Sequence, residues 1–115
     1  ADRYADETWW TEKDPGLVLG PPSFGWLAAA IASTRGTEAP GALEGVAVPI
    51  LILGTEGDRL VSRAAIRRFA ARLSGAEFHM YDASAAHEIL RERDEVRDDV
   101  LGRIAAFLGK VVSLR

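Results

Sequence analysis

A chain of 115 residues, 48% of them hydrophobic, has room for one modest core and not for two. Its net charge of -3 argues against a nucleic-acid surface, which needs a basic stripe, and the absence of cysteine excludes disulfides, thiolate metal sites and a cysteine nucleophile. No apolar stretch approaches the roughly 18 residues of a membrane span, and the opening ADRYADET has neither the basic nor the apolar region of a signal peptide.

Residues 1 to 22 mix charge, aromatics and turn formers, with Trp9-Trp10, Asp14-Pro15-Gly16 and Gly20-Pro21-Pro22 interrupting any periodic pattern, and read as irregular with one short helix. Ser23 caps a helix through Phe24, Leu27, Ala28 and Ile31, and Gly36 to Gly45 reads as a surface loop. Residues 46 to 53, VAVPILIL, form an apolar run suited to a parallel strand covered on both faces, and Gly54 to Leu60 form the turn after it. Ser62 then caps a helix whose stripe is Ala65, Ile66, Phe69, Ala70 and Leu73, with Gly75 as its stop. Residues 76 to 82, AEFHMYD, alternate as a short strand, and Ala83 to Ala86 lead to His87. Asp94 caps a last helix with Val96, Val100, Ile104, Phe107 and Leu108 on one face.

From residue 46 the order is strand, turn, helix, strand, loop, helix: a right-handed βαβ unit with a closing helix, its strands parallel neighbours. The turn bearing Asp58 and the loop bearing His87 then leave the sheet at one edge, the carboxyl end, where open α/β sheets place their chemistry. A carboxylate and an imidazole meeting there supply two members of a Ser-His-Asp triad. Each residue also has a plain reading: Asp58 as a turn former or cap, His87 as a polar loop residue. Glu56 competes with Asp58 as the acid. His79, alternating with Phe78 and Met80, faces away from those two and stands outside the constellation.

The stretches VPILILGTEGDRLVS (48 to 62), AEFHMYDASAAHEILRER (76 to 93) and VLGRIAAFL (100 to 108) resemble the last strands and helix of an α/β-hydrolase, in particular the lysophospholipase and monoacylglycerol-lipase-like serine hydrolases. In that group the acid follows the penultimate strand in a Gly-containing turn, often before Arg, and the histidine precedes Glu; the matching positions are Asp58-Arg59 and His87-Glu88. LVLGPPSFGWLAAAIAS (17 to 33) is similar to the segment that leaves the lid and returns to the core. The resemblance implies residues 1 to 35 as the end of a lid and its returning helix, 36 to 45 as a loop, and 46 to 115 as the C-terminal βαβα portion of the core. It also implies Asp58 as the acid, His87 as the base, a lipid-like or small carboxylic ester as substrate, and no metal or organic cofactor.

The family's Gly-x-Ser-x-Gly turn is missing: Ser23, Ser33, Ser62, Ser74, Ser84 and Ser113 all lack that context. The nucleophile and the oxyanion donors are therefore expected before Ala1, which makes these residues the C-terminal part of a larger hydrolase, inactive alone and, because a two-stranded sheet with bare edges is rarely stable by itself, prone to self-association through exposed apolar surface. The missing N-terminal half is then the natural partner, and Trp9, Trp10 and Trp26 either line an acyl pocket or pack against that half. The expected location is the cytoplasm, with peripheral membrane attachment as the other setting. The alternative is a non-catalytic α/β module that binds a nucleotide, a small molecule or a protein through the Gly54 to Asp58 loop without using His87.

Overall fold

The structure, a computed structural model, describes residues 5 to 113. The chain divides into two units, Ala1–Ala42 and Leu43–Arg115. In the first, helix α1 (Ala5–Lys13) is followed by a 3-10 turn (Pro15–Leu17), in which the Asp14 carboxylate accepts the Gly16 N–H at 2.9 Å and Pro15 supplies a preset φ. The one short helix expected in this region is α1, and residues 18 to 22 have no regular structure; residues 1 to 4 lie outside the described residues. Helix α2 (Phe24–Glu38) starts at Ser23, whose Oγ accepts the Trp26 N–H at 3.1 Å. It runs on through Gly36, where a loop was expected. One glycine costs a helix only about 1 kcal/mol relative to alanine. The stop comes from Pro40, which forces Ala39 out of the helical region to ψ 142.

None of the described residues in this unit is buried; Phe24, Trp26, Leu27 and Ile31 all remain exposed. One core is what the length allows, and it belongs to the second unit. There, β1 (Ile50–Thr55) and β2 (Ala76–Tyr81) pair in parallel, Ile50 opposite Ala76 and Thr55 opposite Tyr81. The first strand begins four residues later than the apolar run suggested. Val46 to Pro49 have no pairing partner, because β2 begins opposite Ile50, and Pro49 has no N–H to donate. The strand also extends through Gly54 and Thr55, since the pairing continues with the Glu56 N–H donating to the Tyr81 carbonyl at 2.9 Å. Nor is β1 fully covered on both faces: Ile50 to Leu53 are half-buried, and only Gly54 and Thr55 are buried.

Helix α3 (Arg63–Arg72) connects the strands, with the Ser62 Oγ accepting the Ala65 N–H at 3.3 Å. It ends at Arg72, before Gly75. Leu73 turns into the core in extended conformation, and Gly75 does not adopt the left-handed backbone of a glycine cap. At the same end Arg72 grips Glu44 through two hydrogen bonds, of 2.9 and 3.2 Å, and this contact draws the Glu44 carboxyl down to about 2.

Helix α4 (Asp94–Ser113) packs beside the sheet with Val100 fully buried, a burial that contributes about 1.5–3 kcal/mol. Its cap differs from expectation. Arg93 supplies the carbonyl that accepts the Val96 and Arg97 N–H groups, and Asp94 is the first helical residue, ion-paired with Arg97 at 3.0 Å. Tyr81, the last residue of β2, donates its hydroxyl to Asp99 of α4 at 2.7 Å, and Arg103 donates to the same carboxylate oxygen at 2.7 Å. Burial, then the bond to Asp99, pushes the Tyr81 phenol up to about 12. His79 stacks edge-on against Tyr81 in this polar layer, with ring centroids 4.7 Å apart.

Among the described residues the buried apolar set is small: Leu43, Ala70, Leu73, Ala85 and Val100. Val48, Leu60, Leu101, Leu108 and Val112 stay more than 45% exposed, Leu108 despite its place in the expected apolar stripe. No helix among the described residues is long and apolar enough to cross a membrane.

Candidate active site

The parallel pairing brings the ends of β1 and β2 to one edge, and the two predicted site residues meet there. Asp58 sits in the turn after β1, its side chain only 4% exposed, and its Oδ2 lies 2.8 Å from Nδ1 of His87. Its other oxygen, Oδ1, accepts the backbone N–H groups of Leu60 at 2.8 Å and Val61 at 2.9 Å. This local capping of the turn orients the carboxylate, so that Oδ2 is the oxygen presented to the imidazole. Burial on its own raises the Asp58 carboxyl, but the hydrogen bonds from His87, Val61 and Leu60 outweigh it and leave the group below the usual carboxylate range.

His87 is the accessible partner, its side chain 44% exposed. An ionised carboxylate can only accept, so the contact assigns a proton to Nδ1; in the neutral imidazole Nε2 is then the lone-pair acceptor on the opposite edge of the ring. That is the tautomer a general base needs. Glu56, the competing acid, turns to α3 instead: its carboxylate is ion-paired with Arg67, and its carbonyl accepts from Arg63 at 3.0 Å. Glu88, next to the histidine, pairs with Arg91. Among the described residues, no group of three His, Cys, Asp or Glu side chains could hold a metal ion.

Three further residues shape the site. Thr55, at the end of β1 and 1% exposed, directs its hydroxyl at the carbonyls of Ala85 (2.6 Å) and Asp82 (3.0 Å) and accepts the Gly57 N–H at 3.0 Å. Gly57 lies so close to the His87 loop that a Cβ there would fall 2.1 Å from the Ala85 carbonyl oxygen. Glu92, 6% exposed, accepts the Ala86 N–H at 2.7 Å. Sequence reading placed Thr55 and Gly57 only within the Gly54 to Asp58 turn and gave Glu92 no role. The available signal was a hydroxyl residue two positions after the apolar run and a carboxylate five residues after the histidine.

The model of the serine aminopeptidase S33 family matches residues 2–94, most of the chain. The chain belongs to this α/β-hydrolase family. A curated relative, a probable lysophospholipase L2 of Haemophilus influenzae, is 30% identical over 96 residues. That match takes in 84% of the chain but only 30% of the relative's length. No solved structure matches the chain. The two-stranded parallel sheet with its helices is a partial α/β-hydrolase fold, and both Asp58 and His87 lie within the span of the family match.

Proposed function

We propose that this chain contributes the acid and the histidine of a Ser-His-Asp triad in a hydrolase of carboxylic esters, the nucleophilic serine coming from outside these 115 residues. The observation that carries the reading is the 2.8 Å contact between buried Asp58 and exposed His87 at the carboxyl edge of the sheet. Membership of a serine-hydrolase family supports it, and the relative named as a probable lysophospholipase favours a lipid-like ester such as a lysophospholipid or monoacylglycerol.

In the reaction, Nε2 of His87 takes the proton of the serine hydroxyl as the serine oxygen bonds to the ester carbonyl carbon. The protonated imidazole then returns that proton to the departing alcohol as the carbon–oxygen ester bond breaks. Water repeats the sequence on the acyl-serine, releasing the carboxylic acid. Asp58 stays ionised throughout, holding the ring and stabilising its cationic form.

The test is hydrolysis by the intact protein of a lysophospholipid, a monoacylglycerol and an aminoacyl amide, with Asp58→Asn and His87→Ala alongside. Ester hydrolysis lost in both variants is expected. A preference for the amide would transfer the reading to peptidase chemistry, and full ester hydrolysis in the His87→Ala protein would refute it. The isolated 115 residues are expected to hydrolyse none of the three.

A further inference from the structure

We infer that Thr55 and Glu92 are positioning residues that hold the His87 loop in register with the Asp58 turn; this rests on the triad reading above. Both act on the backbone immediately before His87, Thr55 at the Ala85 carbonyl and Glu92 at the Ala86 N–H.

Inside the loop from Asp82 to His87, the Ser84 N–H donates to the Asp82 carboxylate at 2.8 Å, the Ser84 side chain hydrogen-bonds the same carboxylate, and the Ala85 N–H reaches the Asp82 carbonyl over a long 3.4 Å; none of these ties reaches the Asp58 turn. What fixes it against the acid comes from elsewhere in the chain. Thr55 places one hydroxyl between two loop carbonyls while its oxygen accepts the Gly57 N–H, so a single side chain joins the loop to the turn that carries Asp58. Glu92 holds the next residue, Ala86, by accepting its N–H at 2.7 Å. Consecutive residues, Ala85 and Ala86, are thus pinned by two buried polar side chains, and His87 is the next position.

The physical reason to expect an effect is that both side chains are nine-tenths or more buried. Removing the Thr55 hydroxyl leaves the Ala85 carbonyl and the Gly57 N–H without their buried partner, and the cheapest repair is for the loop to lift toward water. A lift of about 1 Å at His87 would lengthen the Asp58 contact and misplace Nε2, which costs on the order of tenfold to a hundredfold in rate.

The experiment compares Thr55→Val, Thr55→Ser, Glu92→Leu and Glu92→Gln in the intact protein, with ester kinetics and the NMR signal of the His87 Nδ1 proton as readouts. Thr55→Val and Glu92→Leu are expected to lower kcat by about tenfold or more with KM little changed, and to shift or broaden the Nδ1 signal. Thr55→Ser and Glu92→Gln, which keep an acceptor oxygen, are expected to restore both. Folded Thr55→Val and Glu92→Leu proteins with unaltered kcat and Nδ1 signal would overturn the inference, provided that Asp58→Asn and His87→Ala abolish hydrolysis; if those two do not, it is the triad reading that fails. Should the apolar variants not fold, amide exchange in the unaltered protein decides: slow exchange at Gly57 and Ala86 is expected, and fast exchange at both overturns it.

Discussion

The Thr55 hydroxyl and the Ala85 carbonyl lie 2.6 Å apart although thirty residues of sequence separate them. The bond closes the βαβ unit at the edge where the carboxylate and the imidazole meet. It ties the loop before His87 to the end of the neighbouring strand and, through Gly57, to the turn that carries Asp58.

Removing the acid should be nearly as damaging as removing the base. In Asp58→Asn the ring loses its acceptor and the Nδ1 tautomer loses its preference, so kcat of the intact protein should fall by on the order of 10,000-fold. KM should change little, because neither side chain is needed to bind the ester. Steady-state kinetics on a soluble ester check this, and a drop confined to KM would contradict it.

Gly57→Ala tests the close approach of the two loops. An added methyl group would meet the Ala85 carbonyl at 2.1 Å, so backbone must move. The expected cost is about 1–3 kcal/mol of stability together with a large loss of hydrolysis. Thermal unfolding and kinetics on the same preparation measure both, and wild-type values for both would mean that the loops are not held together in this way.

The acid limb of stability should carry the signature of Asp58. Its carboxyl is held below the ordinary range, hence below its unfolded value of about 3.9. The stabilisation is therefore fully present above that value and is lost as the pH falls below about 4 through the folded pKa. The His87 Nδ1 proton signal should follow the same window as Asp58 becomes protonated. Its disappearance on a change confined to pH 5 to 7, with the fold unchanged, would be the contrary result.

The 115 residues expressed alone should associate. Leu60, Leu101, Leu108 and Val112 are exposed on the second unit, and both strands have an unpaired edge in the two-stranded sheet. Light scattering across a concentration series is expected to show species larger than a monomer. A monodisperse monomer at high concentration would mean that this apolar surface is not adhesive.

Much of this protein was determined by local pattern. The apolar run ending in a glycine-bearing turn, the helical stripe after Ser62, the alternation of AEFHMYD and the last amphipathic stretch specify the βαβα order, and that order sends Asp58 and His87 to one edge. Ser23 and Ser62 cap as read, because capping is decided within three residues. The tertiary structure decided what depends on partners distant in sequence. The first strand starts at Ile50 because only there does β2 begin to pair with it. Glu56 is drawn away from the histidine by Arg67, a residue of the following helix. Thr55 and Glu92 matter through backbone carbonyl and amide groups that no side-chain pattern announces. Hydrophobic periodicity reports which face of an element is covered; it carries no information on which buried hydroxyl or carboxylate finds which peptide group, because that pairing exists only once the chain has closed on itself.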